Sequence, residues 1–530
     1  MKNIQNLLKE NYLALLLFLI ALLINQYTGN RGVFPIDSFS HFDSGFRILK
    51  GDHPFKDYWV VSGPIIDYLQ SIFFFLFGIN WQSYVFHASF INGLLTLLTF
   101  YLFLNLQLDK YLSFFYSLCF AILSYPSSGT PFVDHHSAFF SLASIYYLIR
   151  ALNEDKTYQW TLIPVFLSLS FLSKQVPAFY IFLSIIFTLI FHLSQIEKKK
   201  ALKILSILFL TSFLILVFFF LFLRINSINF QDFIYQYVIY PKSIGDQRFL
   251  NLKYDFKNTF LNFKFIYLAF FFLLIIATKN LLKKKNFYKK LDFKIFLITF
   301  LLSASLIQHI LLTKNQIFIF FLIPLICGLA HSQLEKSKVD KKKLFASLLI
   351  VLCLFATIKY HLRFNFDRKF HELSKVDFSM SADANLLSKE FKGLKWISPN
   401  DKALSEINYI NGVKLILDND ISNIMVVTNY SLFSVLTEKN VSSFSRWFAF
   451  DGSAFPLKND KYYEKYKDFI FSTIKSKNIE NIYVLKDINY KFFLDYFDQN
   501  CINKKTENKM LKIYQINHDC VNLKNYGKKK

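Results

Sequence analysis

The residues best suited to chemistry lie in a polar, aromatic segment, residues 28–83, that follows the first apolar run. FPID at positions 34–37 places Asp37 beside apolar residues, close to the predicted end of a membrane span. Desolvation there makes a carboxylate a stronger base, and such a base can take the proton of a reacting hydroxyl. Asp37 is therefore our candidate catalytic base. A helix cap, a salt bridge or a solvated position is the ordinary alternative for a loop Asp.

The same segment holds four candidate substrate-binding residues. His41 lies four positions after Asp37, so the two share a face if the chain is helical there. Asp43 and Arg47 have the same spacing, which allows an ion pair between them. Asp57 lies in a stretch punctuated by Gly and Pro, which predicts a turn between two helices that lie along the membrane surface.

PFVDHH, residues 131–136, is a second candidate group at the start of a predicted span. We assign Asp134 a catalytic role and His135 a role in substrate binding, with an N-cap role for Asp134 as the structural alternative. Asp37, Asp134 and His136 are candidate ligands of a divalent metal ion, the one cofactor left open. Adjacent histidines point in different directions on a helix, so at most one of the two serves a given site.

Lys174 and Gln175 are candidate substrate-binding residues at a turn between two apolar runs. The runs cover Thr161–Leu193, which is too long for one membrane crossing. A cation at that depth is costly unless it is paired, and it suits a lipid phosphate. Snorkelling to the headgroups is the alternative for Lys174. His309 and Lys314, at a later external turn, are weaker candidates of the same kind.

The composition indicates a polytopic α-helical membrane protein. Of the 530 residues 53% are hydrophobic, and they gather in apolar blocks. Blocks of about 15 to 22 residues approach the length that a bilayer requires of a helix. Residues 63–78 would reach only ~24 Å and carry Asp67, so we interpret them as an interfacial helix. Eleven spans are predicted, at 12–27, 84–106, 112–125, 135–152, 159–173, 177–193, 204–223, 264–278, 295–312, 315–331 and 344–359.

The net charge of +24 orients these spans. Lys clusters fall in the loops 194–203, 279–294 and 332–343, which are cytoplasmic if the N-terminus is cytoplasmic and 63–78 does not cross. This pattern explains the basic charge without nucleic acid as a partner. It predicts a multi-pass protein of the plasma (inner) membrane whose first loop and C-terminal region lie outside the cytoplasm.

A second domain is predicted from about residue 360 onward. Apolar runs shorten there to strand length, as in Ile424–Thr428 and Ile482–Leu485, and Tyr462–Lys475 has helical spacing of aromatic residues. We therefore expect a membrane domain, 1–359, and a small soluble extracytoplasmic α/β domain, 360–530. Cys501 and Cys520 are either a disulfide or a free pair, because their distance is not visible in the sequence.

These features together resemble the GT-C superfamily of membrane glycosyltransferases, of the protein O-mannosyltransferase and lipid A aminoarabinose transferase type. The resemblance is clear over roughly residues 8–200, and it rests on an ordered set of positions: Asp37, Gly51, Pro54, Asp57, Gly63, Pro64, Asp134 and Lys174. Relatives often carry Asp-Glu where this chain has Asp37-Ser38, so Asp43, Asp57 or Asp134 would have to supply a second acidic group.

The resemblance implies a glycosyltransferase that moves a sugar from a polyprenyl-phosphate donor to a hydroxyl of a lipid, glycan or protein, with inversion. Asp37 would be the base, Lys174 would contact the donor phosphate, and Asp134 and Lys174 would lie near Asp37. The alternatives are a polysaccharide polymerase or ligase and a membrane transporter or flippase of glycolipids. A transporter should carry charges within its spans, whereas these spans are nearly free of charge.

The predicted topology can be tested with reporter fusions. A reporter fused after Tyr360 should be active outside the cytoplasm, because eleven spans place that position opposite the N-terminus. A reporter fused within residues 194–203 is the matched control and should read cytoplasmic. A cytoplasmic signal after Tyr360 would refute the eleven-span topology.

Overall fold

Helices make up most of the chain in the computed structural model, which describes residues 2–125, 128–281, 286–313, 319–337, 341–368, 372–399, 402–498 and 500–523. Seven helices of the described residues are long and apolar enough to cross a membrane. They are Asn11–Gly29, Trp81–Asn105, Gln175–Leu193, Lys198–Ile225, Phe256–Leu281, Leu291–Thr313 and Lys342–Phe366.

The four other predicted spans also overlap helices. These helices are Lys110–Ser124, Val133–Glu154, Thr157–Ser173 and Leu322–Glu335. Three of them have 14 to 17 residues, and Val133–Glu154 has 22 but is less apolar. The helical membrane fold is thus confirmed, and the number of crossings stays a prediction. Residues 63–78 form the helix Pro64–Phe77, whose 14 residues agree with a segment too short to span.

Two compact units share the chain. The first contains Met1–Gly29, Val85–Phe220 and Arg248–Phe370, and the second contains Asn30–Tyr84, Leu221–Gln247 and His371–Lys530. Most of the first loop, Asn30–Tyr84, therefore belongs to the same compact unit as the C-terminal region. The predicted domain boundary at 359/360 rests on composition and stays a prediction.

A serine-rich helix pair of the first unit positions two candidate residues. Val133–Glu154 packs on Thr157–Ser173, and the Ser170 hydroxyl lies 2.7 Å from that of Ser141. Ser144 donates to the Ile163 carbonyl at 3.0 Å, and Ser137 donates to the Lys174 carbonyl at 3.2 Å. Small hydroxyl residues let helices approach closely and bond to each other where water is scarce. The pair therefore brings its two ends, which carry Asp134 and Lys174, to the same level.

The second unit contains a four-stranded sheet, which confirms the predicted C-terminal α/β region. Two short strands, β1 (Ala382–Asp383) and β2 (Lys395–Trp396), come first in the chain and form a separate two-stranded sheet. The strands of the four-stranded sheet are β3 (Ile424–Val427), β4 (Asn481–Leu485), β5 (Ile502–Glu507) and β6 (Leu511–Ile516). The order is β3-β4-β6-β5, with β3 parallel to β4 and the other pairs antiparallel. Parallel neighbours require a crossover, and helix Tyr463–Ser476 lies within it. Ala403–Asn419 precedes β3, and a disulfide joins Cys501 to Cys520.

Residues 30–84 are tied to this sheet region by backbone hydrogen bonds. Val33 N–H donates to the Ile397 carbonyl at 2.8 Å, and Trp59 N–H donates to the Phe444 carbonyl at 2.9 Å. The indole of Trp59 is buried with Tyr466 in one apolar cluster. The helices Pro35–Ser38, Ser40–Leu49 and Pro64–Phe77 are therefore held by residues far along the chain.

Within this unit, residues 221–247 also contact the first loop, and short helices begin in this segment. They are Phe230–Ile234, the π-helix Tyr235–Ile239 and Tyr240–Leu250. The side chain of Gln236 accepts from Val60 N–H at 3.0 Å and donates to the Phe55 carbonyl at 2.9 Å. The amide thus satisfies two backbone groups of the turn that carries Asp57.

Gly129 offers a test of packing in the first unit. Its φ is +72°, and a Cβ there would overlap the backbone of Gly29, so Gly129→Ala combines backbone strain with a clash. We expect a loss of about 2 kcal/mol or more in the free energy of unfolding. Thermal unfolding in detergent measures it. Gly245→Ala is the control, because no atom lies within 4 Å of its Cβ position. Equal unfolding temperatures for Gly129→Ala and the wild type would contradict the close approach.

Candidate functional site

Asp134, Lys174 and His309 form a buried cluster in the first unit, here called the Asp134 cluster. The Lys174 ammonium donates to both carboxylate oxygens of Asp134, at 2.9 and 2.8 Å. His309 Nε2 lies 2.6 Å from Asp134 Oδ1. Because an ionised carboxylate only accepts, His309 donates through Nε2. One negative charge is thus paired with one positive charge and oriented by an imidazole.

The local chain explains the place of each member of this cluster. Lys174 is in an extended conformation between the helices Thr157–Ser173 and Gln175–Leu193, so the predicted turn is present. Asp134 is in the first turn of Val133–Glu154, and His309 is in the last turns of Leu291–Thr313. The side chain of Lys174 remains 21% exposed, against 5% for Asp134. The side chain of Lys174 is therefore the most exposed of the three.

The neighbouring candidates lie outside this cluster. His135 is buried, with its ring edge-on to Phe139 at 5.7 Å. His136 Nε2 lies 3.2 Å from His87 Nε2. The two rings have different neighbours, as expected for adjacent positions on a helix. Gln175 is half-buried in the first turn of its helix, and Lys314 lies outside the described residues.

A second buried cluster lies in the second unit and is called the Asp67 cluster: Asp67, His41, Arg446 and Tyr58. Arg446 Nη1 donates to the two oxygens of Asp67 at 3.1 and 3.0 Å. His41 Nδ1 lies 2.6 Å from Asp67 Oδ1, and the Tyr58 hydroxyl donates to Oδ2 at 3.4 Å. Arg446 also donates to the carbonyls of Ser62 and Gly63, just before the helix Pro64–Phe77. Arg446 thus holds the chain at the start of that helix.

His41 is neutral in this setting. Burial, and then the positive charge of Arg446, lower the pKa of His41 to about 4, although the hydrogen bond to Asp67 acts in the opposite direction. His41 is 2% exposed, so water contributes little to stabilise a protonated ring. The imidazole is therefore an uncharged group in a candidate binding region.

The predicted Asp43–Arg47 ion pair is wrong, because Arg47 pairs with Asp52. The guanidinium donates from Nε and Nη2 to Asp52 Oδ2 at 3.1 and 2.9 Å. After Leu49 the chain turns back, and Asp52 N–H donates to the Arg47 carbonyl at 3.0 Å. That turn places the Asp52 carboxylate beside the guanidinium.

Asp52 has a second cationic partner in Lys477, whose Nζ lies 2.6 Å from Oδ1. Although burial opposes it, Arg47 and Lys477 lower the pKa of Asp52. Lys477 also lies 3.7 Å from Asp57, whose other oxygen accepts from His53 N–H at 2.8 Å. Asp57 therefore helps to fix the turn after Gly51.

Asp43 lies close enough to feel the charges of Arg47 and Asp52, although Asp52 is the ion-pair partner of Arg47. Burial raises the pKa of Asp43, and the charge of Arg47 and a hydrogen bond from Ser434 offset the rise only in part. Ser434 lies in the short helix Phe433–Thr437, so Asp43 links the first loop to this helix of the C-terminal region.

Asp37 occupies the position expected of it, near the start of the first loop. It belongs to the short helix Pro35–Ser38, is half-buried, and its N–H donates to the Phe34 carbonyl at 2.9 Å. Pro35 at the first helical position favours this turn, because proline lacks the N–H that would be unsatisfied there. The carboxylate is thus carried by a short helix directly before the helix of His41.

Two of the three candidate metal ligands, Asp134 and His136, have other partners in the structure. Both oxygens of Asp134 are bonded to Lys174, and His136 contacts His87 and the Phe132 carbonyl. Among the described residues no group of three or more His, Cys, Asp or Glu side chains is arranged to hold an ion. We therefore derive no chemical step through a metal.

Arg446, Asp67, Asp52 and Lys477 were not predicted as site residues. Asp67 had one signal, a carboxylate within an apolar helix. The signal of Arg446 is weaker, an arginine among aromatic residues in SRWFAF at 445–450. Neither pattern predicts that Asp67 and Arg446 form an ion pair, because the two residues are 379 positions apart.

Residues 52–222 match the family model described as dolichyl-phosphate-mannose-protein mannosyltransferase. The match confirms the resemblance to the GT-C membrane glycosyltransferases, and its range contains Asp134 and Lys174 but begins after Asp37. The chain is also similar to the crystal structure of ArnT from Cupriavidus metallidurans bound to undecaprenyl phosphate. The identity is 9% over 95% of this chain and 98% of that chain, with a TM-score of 0.48. No curated protein sequence matches the chain.

His41 predicts a pH dependence of stability. Its pKa falls from 6.5 to about 4 on folding, so between these values the unfolded chain binds more protons. The stability contributed by neutral His41 is complete above pH 6.5 and is lost as the pH falls towards 4. Unfolding temperatures at pH 7 and pH 4.5 should therefore differ less for His41→Gln than for the wild type. Identical differences would show that His41 does not titrate in this way.

Proposed function

We propose that this chain is an integral membrane glycosyltransferase of the GT-C type that moves a sugar from a polyprenyl-phosphate donor to a hydroxyl acceptor. The single observation that supports the proposal best is the family match over residues 52–222. The description of that family names dolichyl-phosphate-mannose, a sugar carried on a lipid phosphate. A long polyprenyl chain suits a protein with apolar helices, because the lipid can stay in the bilayer while its phosphate reaches the surface.

The proposed reaction is a single displacement with inversion at the anomeric carbon. The acceptor oxygen forms a bond to that carbon while the bond from the carbon to the phosphate oxygen breaks. The polyprenyl phosphate leaves with the electron pair of the broken bond. The hydroxyl proton passes to Asp37, which acts as general base. Its half-buried position favours a partly desolvated carboxylate, which is a stronger base.

We assign Lys174 to the donor phosphate. Two of its three N–H groups are directed to Asp134, which leaves one for a phosphate oxygen. Asp134 then acts as a positioning residue that holds the ammonium, with His309 fixing the carboxylate from the other side. Without that pairing a long lysine side chain would sample many rotamers and bind a phosphate less well.

We place this reaction on the face away from the cytoplasm. The Lys-rich loops at 194–203, 279–294 and 332–343 favour a cytoplasmic N-terminus, which leaves the first loop and the C-terminal region outside. His41, Asp43, Arg47 and Asp57 are then on the side where a lipid, glycan or protein acceptor would arrive.

The proposal can be tested by sugar transfer in isolated membranes from a panel of radiolabelled polyprenyl-phosphate sugars. Asp37→Asn should lower the transfer rate about 100-fold or more, because the acceptor proton loses its base. Asp418→Asn is the matched control, an exposed carboxylate of the C-terminal region that should leave the rate unchanged.

Two outcomes would count against different parts of the proposal. Wild-type transfer rates in Asp37→Asn would overturn the assignment of the base and leave the glycosyltransferase standing. No transfer from any donor by the wild type would overturn the glycosyltransferase itself.

A further inference from the structure

We infer that Asp67 and Arg446 are positioning residues that hold His41 as the neutral Nδ1–H tautomer, so that its free Nε2 accepts a hydrogen bond from a substrate hydroxyl. The inference rests on the proposed function, because it concerns a hydroxyl of the sugar donor or of the acceptor. It assigns roles to two residues that neither the sequence patterns nor the family match points to.

The tautomer follows from the partners of Asp67. An ionised carboxylate can only accept hydrogen bonds, and every group around it in this cluster must therefore donate. Arg446 donates from Nη1 to both oxygens, and the Tyr58 hydroxyl donates to Oδ2. His41 Nδ1, at 2.6 Å from Oδ1, must carry a hydrogen as well.

Arg446 reinforces this state of the ring. Its Nη1 lies 3.4 Å from His41 Nδ1, so a second positive charge on the imidazole would face the guanidinium directly. The side chain of Arg446 is 1% exposed and that of Asp67 is fully buried, which leaves the charges unscreened by water. A neutral ring with hydrogen on Nδ1 has a bare lone pair on Nε2.

Nε2 makes no hydrogen bond within the described residues. All the polar contacts of His41 in that part of the chain are made through Nδ1, to Asp67 and to Arg446. A bare imidazole nitrogen accepts one hydrogen bond, which a ligand that carries a donor supplies. A hydroxyl is the fitting ligand, because a phosphate group offers only acceptors to a bare nitrogen.

The place of His41 agrees with such a role. It lies in the helix Ser40–Leu49, directly after the short helix of Asp37, and outside the apolar helices long enough to span a membrane. Asp67 lies in Pro64–Phe77 and Arg446 in the C-terminal region, so the ring is fixed from two other parts of the chain.

The first test reads the tautomer directly. Nitrogen NMR of the full-length protein, labelled with 15N-histidine in detergent or nanodiscs, distinguishes a protonated from a bare ring nitrogen. His41→Gln identifies the His41 signals by difference. The wild type at pH 7 should show hydrogen on Nδ1 and none on Nε2. Hydrogen on Nε2, or on both nitrogens, would overturn the inference without any variant having to fold.

The second test uses Asp67→Asn and Arg446→Gln. In Asp67→Asn the amide oxygen would stay with Arg446, so the NH₂ group would face Nδ1 and move the hydrogen to Nε2. In Arg446→Gln Asp67 loses the guanidinium that orients its carboxylate, so the acceptor that holds the hydrogen on Nδ1 is no longer fixed. Asp67→Asn should invert the tautomer, Arg446→Gln should reduce the share of Nδ1–H, and both should lower kcat/KM for transfer about 10- to 100-fold. Arg446→Lys, which keeps the charge, should restore the tautomer in part.

Glu406→Gln is the matched control, because Glu406 is a buried carboxylate of the same unit that accepts from Trp396 Nε1 and the Ser398 hydroxyl. It should lower thermal stability but keep the tautomer of His41 and kcat/KM. Equal losses of kcat/KM in Glu406→Gln and Asp67→Asn, with the tautomer unchanged in both, would show a structural role only and overturn the inference.

Separate titrations of the two substrates identify the hydroxyl. A rise in KM for the polyprenyl-phosphate sugar alone assigns it to the donor, and a rise for the acceptor alone assigns it to the acceptor. No transfer by the wild type would count against the proposed function, while the tautomer of His41 would still support or overturn its positioning by Asp67 and Arg446.

Discussion

The buried ion pair between Asp67 and Arg446 is the interaction on which the second unit depends. The side chains are 0% and 1% exposed, so each charge has been removed from water and is stabilised by the other. Removal of one partner from a buried pair costs about 3–5 kcal/mol, because the remaining charge is left without compensation. The same guanidinium also binds the carbonyls of Ser62 and Gly63 and, after burial, is the second cause of the lowered pKa of His41. Arg446 thus contacts the start of the helix Pro64–Phe77, the carboxylate of Asp67 and the imidazole of His41.

The two buried clusters follow the same physical logic in different parts of the chain. In each, one carboxylate is paired with one cation and contacted by a histidine nitrogen at 2.6 Å, in Asp134–Lys174–His309 and in Asp67–Arg446–His41. The pairing neutralises the carboxylate, and the histidine uses the remaining acceptor capacity of one oxygen. They differ in access, because Lys174 keeps a fifth of its side chain exposed and Arg446 does not. This difference in exposure is the reason for proposing that Lys174 contacts a ligand directly and that Arg446 acts through its neighbours.

Local patterns predicted the elements well and the partners of charged residues poorly. The helices at the predicted spans, the turn at Lys174 and the strands at Ile424 and Ile482 each follow from periodicity within a short window. The i, i+4 rule paired Arg47 with Asp43, but the chain turns after Leu49 and brings Asp52 to the guanidinium instead. Arg446 and Asp67 are 379 positions apart, and nothing within a window around either residue specifies such a contact. Partner choice is set by the tertiary fold, which periodicity does not describe.

The assembly of the second unit from three separated segments has a consequence for biosynthesis. Residues 30–84, which contain Asp67, leave the ribosome early, and Arg446 is added 379 residues after Asp67. At about 5–20 residues per second the delay is roughly 20–75 s, far longer than a helix needs to form. During that interval the early loop carries an uncompensated carboxylate and an exposed apolar face. A chain cut short before Arg446 would therefore resemble an unfinished protein permanently, which is the state that membrane quality-control proteases and chaperones bind.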